Sequence, residues 1–117
     1  MYVLVVDDEP KVSGLLVDLL ALSGHTVRRA EGGSEGLALL ERERYDLVLT
    51  DLAMPGMTGW QVAQAVKSRW PDLPVILLTG WADQVDPSHT SWVDRLLKKP
   101  FHLGQIEETL AALLPDK

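Results

Sequence analysis

The fold of this chain is constrained most by four short apolar runs that each end in a polar residue. They are Val3 to Val6 before Asp7 and Asp8, Leu47 to Leu49 before Thr50 and Asp51, Val75 to Leu78 before Thr79, and Leu96-Leu97 before Lys98 and Lys99. Runs this short and rich in β-branched residues suit strands covered on both faces. If such strands run parallel, their carboxyl ends lie side by side and the polar residues meet at one edge. Open α/β sheets bind their ligands in the crevice outside those ends.

The segments between the runs are longer and amphipathic. Lys11 to Ser23 carries a broad leucine and valine stripe, opens next to Pro10 and stops at Gly24, which predicts a helix. His25 to Ala30 reads as a weaker strand that leads into a Glu31-Gly32-Gly33 turn, after which Ser34 is placed to cap a second helix. Asp46 to Thr50 is the third strand. Thr58-Gly59-Trp60-Gln61 fits a capping box, so a helix is expected from Gly59 to Trp70, ended by Pro71 and Pro74 before a fourth strand at Val75 to Thr79. Gly80 to Trp92 leaves room only for a short helix before a fifth strand at Val93 to Lys98, and His102 to Leu114 has the spacing of a last helix.

Strict alternation of strand and helix indicates a parallel sheet with helices on both faces, and right-handed crossovers leave few topologies. The expected architecture is a flavodoxin-like three-layer sandwich. It has a five-stranded parallel sheet in the order 2-1-3-4-5, adopted by analogy with that fold class, and five helices of which the fourth is shortened.

At 117 residues the chain has room for one domain, spanning 1–117, and 46% hydrophobic content spread along its length argues against disorder. A net charge of -6 and a pI near 4.9 argue against binding to a nucleic-acid backbone, and no basic cluster exceeds two residues. The absence of cysteine excludes disulfides and thiolate metal sites. Asp7-Asp8-Glu9 interrupts the first apolar run before it could serve as a signal peptide or span a bilayer, so the expected location is the cytoplasm, with no membrane contact.

Asp7, Asp8 and Asp51 would bring three carboxylates together at neighbouring strand ends. A hard divalent ion relieves their repulsion, and Mg2+ favours oxygen ligands while keeping waters that a phosphoryl oxygen can replace. The plainer alternative is that Asp8 and Glu9 favour a helix start through its dipole and Asp51 caps a loop. A carboxylate can also attack phosphorus, provided charge on the transferring oxygens is neutralised. A lysine at the last strand end, Lys98 or Lys99, together with the cation, would supply that charge, and the Thr79 hydroxyl could bond to the product. Taken singly, Thr79 reads as an ordinary strand residue and either lysine as a solvated one. Their joint occurrence at adjoining strand ends favours the chemical reading.

The combination Val5-Val6-Asp7-Asp8-Glu9-Pro10, Leu49-Thr50-Asp51-Leu52-Ala53-Met54-Pro55-Gly56-Met57-Thr58-Gly59, Leu77-Leu78-Thr79-Gly80 and Leu97-Lys98-Lys99-Pro100-Phe101 closely resembles the receiver domain of bacterial two-component response regulators. The resemblance covers essentially the whole chain. It implies that Asp51 is the phosphoacceptor, that Asp8 binds Mg2+ directly and Asp7 largely through water, and that the backbone carbonyl of Ala53 is a further ligand. Thr79 resembles the switch hydroxyl and Lys99, which directly precedes proline, the phosphate-pairing lysine, with a cis bond to Pro100. The implied partner is a histidine kinase or a histidine phosphotransfer protein. Two departures concern signalling rather than chemistry: Leu96 stands where the family usually has an aromatic switch residue, and the connection from Thr79 to Lys99 is shortened, with Trp92 before the last strand. Both alter the face made by 80–92, the fifth strand and the last helix, and a monomer is expected.

Trp81, two residues past Thr79, is placed to overhang and gate the site, or else covers apolar surface as a loop aromatic. Trp60 and Trp70 read as packing residues, and Trp92 as a plug or a partner surface. His25, His89 and His102 do not cluster with the acidic residues. The expected role is a signalling phosphoacceptor rather than an enzyme. A rival reading, a small Mg2+-dependent phosphatase with an aspartyl nucleophile, usually needs an Asp-x-Asp pattern after the first strand, where this chain has Asp7-Asp8-Glu9. A flavin-binding module is opposed by two aspartates where phosphate would bind.

Overall fold

The computed structural model describes residues 2–8, 10–51, 57–79, 93, 95–98, 104, 105, 107 and 108. Along the chain these form β1 (Tyr2–Val6), α1 (Pro10–Leu22), β2 (Thr26–Ala30), α2 (Gly33–Arg42), β3 (Leu47–Asp51), α3 (Gly59–Arg69), β4 (Val75–Thr79) and β5 (Arg95–Lys98). The strands make one parallel sheet in the order β2-β1-β3-β4-β5. Residues 104, 105, 107 and 108 are helical. The expected helix within 80–92 lies outside the described residues.

Burial separates the strands by their neighbours. β3 is buried along its whole length, and Val3 to Val6 and Val75 to Leu78 are buried too, as strands covered on both faces require. β2, with a neighbour on one side only, alternates exposed and half-buried residues up to Ala30. The period of two divides the core. Val3, Val5, Leu47, Leu49, Ile76 and Leu78 pack with Leu16 and Leu20 of α1, while Leu4, Val6, Val48 and Val75 pack with residues of α2 and α3. The sheet is therefore the middle layer.

Local signals set the helix ends. α1 starts at Pro10, whose missing N–H costs nothing in a first turn. It closes with Gly24 at φ +88°, its N–H donating to the Ala21 carbonyl at 3.0 Å and that of His25 to Leu20 at 3.2 Å, a Schellman closure. That last bond takes His25 out of β2, which begins at Thr26. At α3 the capping box forms: Thr58 Oγ1 accepts from the Gln61 N–H at 3.3 Å and Gln61 Oε1 accepts from the Thr58 N–H at 2.9 Å.

Two local expectations are corrected. Ser34 does not cap α2; the helix starts earlier, with Gly32 at the N-cap and no side-chain cap bond. Glu35 takes part of that role, its Oε2 accepting from the Glu31 N–H at 3.3 Å. β3 is also shifted by one residue from the expected Asp46 to Thr50. Asp46 stands outside the strand because it is tied to Tyr2 twice, its N–H donating to the Tyr2 carbonyl at 2.7 Å and its Oδ2 accepting from the Tyr2 N–H at 2.8 Å.

Candidate functional site

The sheet register builds the site. Val6 pairs with Ala30 on one side and Thr50 on the other, so Asp7 and Asp8 leave β1 beside the end of β3, where Asp51 is the last strand residue. Asp51 pairs with Leu78, one residue before Thr79, and Thr79 pairs with Lys98. Strand ends that are distant in sequence thus meet at one edge.

Asp7 is fully buried at 0% exposure, Asp51 nearly so at 8%, and Asp8 is exposed. One carboxylate oxygen from each lies within 4.8 Å of the others. At that separation the like charges repel one another, most strongly between the buried Asp7 and Asp51, where water screens least. An all-oxygen donor set of this kind, open to water on the Asp8 side, fits a small hard divalent cation. The Asp7 N–H donates to the Ala30 carbonyl at 3.0 Å, and Thr50 Oγ1 donates to the Asp51 carbonyl at 3.1 Å.

Of the residues singled out in the sequence, the structure brings Asp7, Asp8 and Asp51 together. Thr79 ends β4 next to them in the sheet, and Leu96 pairs with Leu77 in β5. Ala53, Trp81, Trp92, Lys99 and Pro100 lie outside the described residues. One contact was not anticipated: Arg29 Nη2 donates to the Asp7 carbonyl at 3.2 Å. The only hint in the sequence was a charged pair, Arg28-Arg29, on an otherwise ordinary strand.

Residues 3–111 match the family described as response regulator receiver domain. The chain is 36% identical over 115 residues to the probable transcriptional regulatory protein TcrX of Mycobacterium tuberculosis, covering 96% of this chain and 49% of that protein. It is also 36% identical over 112 residues to the sensor histidine kinase RcsC of Escherichia coli, covering 94% of this chain and 12% of that protein. The chain thus spans about half the length of the first relative and a small part of the second. Among solved structures it is similar to the response regulator protein TrrA of Thermotoga maritima in complex with Mg2+ and BeF, with a TM-score of 0.91 at 34% identity over 97% of this chain and 98% of that one. A doubly wound parallel sheet with three carboxylates converging at its carboxyl edge agrees with these likenesses, and the chain belongs to the receiver domain family of two-component response regulators.

Proposed function

We propose that residues 1–117 act as one receiver domain that takes a phosphoryl group from a phosphohistidine donor, a histidine kinase or a histidine phosphotransfer protein, onto Asp51. The convergence of Asp7, Asp8 and Asp51 within 4.8 Å carries this reading. The donor set fits Mg2+, which would be held by those three carboxylates and the backbone carbonyl of Ala53. Bound there, the ion supplies positive charge against the phosphoryl oxygens. The similarity to TrrA, crystallised with Mg2+ and BeF, supports the same assignment.

In this reading a carboxylate oxygen of Asp51 forms the new bond to phosphorus as the P–N bond to the donor imidazole breaks, and the electron pair returns to that nitrogen. Lys99 pairs with the transferred group and the Thr79 hydroxyl donates a hydrogen bond to it. The chain positions and neutralises; the energy comes with the donor. Its role is signalling rather than turnover of a substrate, through Thr79, Leu96 and Trp81 as switch and gate. We further propose that it is cytoplasmic, makes no direct contact with nucleic acid or membrane, and remains a monomer. Among the described residues no helix is long and apolar enough to cross a membrane.

Intact-mass analysis after incubation with acetyl phosphate and Mg2+ tests the assignment. Wild type should gain one phosphoryl group and Asp51→Asn none. Stoichiometric, persistent modification of Asp51→Asn would remove Asp51 from the role, and sustained hydrolysis of small phosphate esters would favour the phosphatase instead.

A further inference from the structure

Arg29 lies on β2, the edge strand beside the acidic centre. Ladder pairing between β1 and β2 ends at Val6 with Ala30. Beyond that point two bonds prolong the grip of β2 on the chain leaving β1. The Asp7 N–H donates to the Ala30 carbonyl at 3.0 Å, and Arg29 Nη2 donates to the Asp7 carbonyl at 3.2 Å. That carbonyl belongs to the peptide joining Asp7 to Asp8. Both peptides flanking Asp7 are therefore held by consecutive residues of one strand. The side chain making the second bond is only 26% exposed, and its Nη1 lies 3.4 Å from Glu31 Oε1. A guanidinium, with donors fixed in one plane, can satisfy the carboxylate and the carbonyl together, which a lysine ammonium on a flexible stem does less well.

We infer that Arg29 is a positioning residue of the acidic centre: its guanidinium holds the Asp7–Asp8 peptide and so sets the relative placement of the two carboxylates that this peptide links. The inference rests on reading the centre as a Mg2+ site. The contact has two consequences of opposite sign. As a nearby positive charge, Arg29 disfavours a bound cation; as an anchor for the peptide, it keeps two ligands in register. Partners that orient metal ligands are generally worth more than a long-range charge, since removing one typically weakens metal affinity ten- to a hundredfold.

The anchor role predicts that Arg29→Ala lowers Mg2+ affinity by about tenfold, the low end of that range because the repulsive charge leaves too. Calorimetric titration of the metal-free protein with MgCl2 reads this directly, independently of phosphorylation. Arg29→Lys, which keeps the charge but has a shorter and undirected donor, should weaken affinity by a smaller factor, about threefold. A second readout needs no metal. The Asp8 amide belongs to the anchored peptide, so its hydrogen exchange in metal-free protein should speed up in both variants, more in Arg29→Ala, while amides in β3 stay unchanged. Mg2+ affinity in Arg29→Ala equal to or tighter than wild type would overturn the inference, as would Arg29→Lys matching wild type or Asp8 exchange unchanged in both. Failure of wild type itself to bind Mg2+ would instead defeat the reading of the centre, and the exchange of the Asp8 amide would then decide the anchor role alone.

Discussion

The two ends of the sheet handle acidic side chains in opposite ways. At the amino ends of β1 and β3, Glu43 accepts hydrogen bonds from the hydroxyls of Tyr2 and Tyr45 and lies 3.6 Å from Arg28. The two tyrosine rings stack with centroids 4.5 Å apart, and Asp46 accepts from the Tyr2 N–H. Each carboxylate there faces a donor or a cation. At the carboxyl ends, Asp7, Asp8 and Asp51 face one another. The same strands carry both arrangements, so the fold does not require the second. Gathering like charges works against stability, and natural chains retain such conflicts where function needs them. The amino end holds its carboxylates with donors and a cation, and the carboxyl end gathers carboxylates that fit the proposed ion.

Asp8→Ala should break this contrast most strongly. It removes the exposed member of the trio and a direct ligand of the proposed ion, so Mg2+ affinity should fall by at least about a hundredfold by calorimetric titration. In the presence of a chelator the same variant should unfold at the same temperature as wild type or a few degrees higher, because one of three mutually repelling charges is gone. Asp46→Ala, at the other end, should do the reverse: Mg2+ affinity unchanged and the thermal midpoint lowered, since the Tyr2 N–H loses its acceptor. Equal loss of stability in both variants would show that the acidic trio is a structural network like its counterpart.

What was legible in the sequence follows the range of the interactions. β4 at Val75–Thr79 and the capping box at Thr58 and Gln61 are encoded within a few residues, and both were read correctly. The end of α1 at Gly24 belongs with them, because a positive φ there favours glycine. The trio was legible because the aspartates lie within two residues of the ends of two apolar runs, so the register of neighbouring strands brings them together. The errors lie where partners are distant. Asp46 looked like a strand residue because its tie to Tyr2, 44 positions away, leaves no local trace. Ser34 looked like a cap because the packing of Gly33 against residues beyond β3 is invisible to turn chemistry. The Arg29 contact to Asp7 spans 22 positions and uses a backbone carbonyl, which no residue pattern advertises.

Gly33→Ala sharpens the comparison by asking how firmly the carboxyl edge is supported from beneath. A Cβ at Gly33 would stand 2.5 Å from Met57 Sδ, 2.9 Å from Val62 Cγ2 and 3.0 Å from Met57 Cβ. The thioether end can swing away, but a helix side chain and a Cβ cannot both yield without moving backbone. The expected cost is about 1–2 kcal/mol in urea-induced unfolding, the ordinary range for overpacking. Met57→Ala in the same chain should recover part of it, giving a non-zero coupling in a double-mutant cycle. A neutral Gly33→Ala would mean that the segment after β3 adjusts freely.

The smallest expected effect at neutral pH, and the clearest in its pH dependence, belongs to Tyr45→Phe. Burial pushes the Tyr45 hydroxyl well above its usual value of 10.0, and the neighbouring Tyr2 hydroxyl and the charge of Glu43 push the same way. At pH 7 the phenol is neutral in both folded and unfolded chains. The substitution then removes only one long hydrogen bond, 3.3 Å to Glu43, and should lower the thermal midpoint by a few degrees at most. The sign changes in alkali. A group whose folded value is raised stabilises the fold below its unfolded value and loses that contribution as pH rises through it. Above about pH 10 the unfolded chain releases the Tyr45 proton while the folded chain retains it, so wild-type stability should decline there. Tyr45→Phe has no proton to lose at this position and should show a shallower decline, its stability curve approaching or crossing that of wild type in strong alkali. Parallel curves for the two proteins from pH 7 to 11 would mean that the phenol is not held neutral by its surroundings, and that the amino end resembles the carboxyl end more than its geometry suggests.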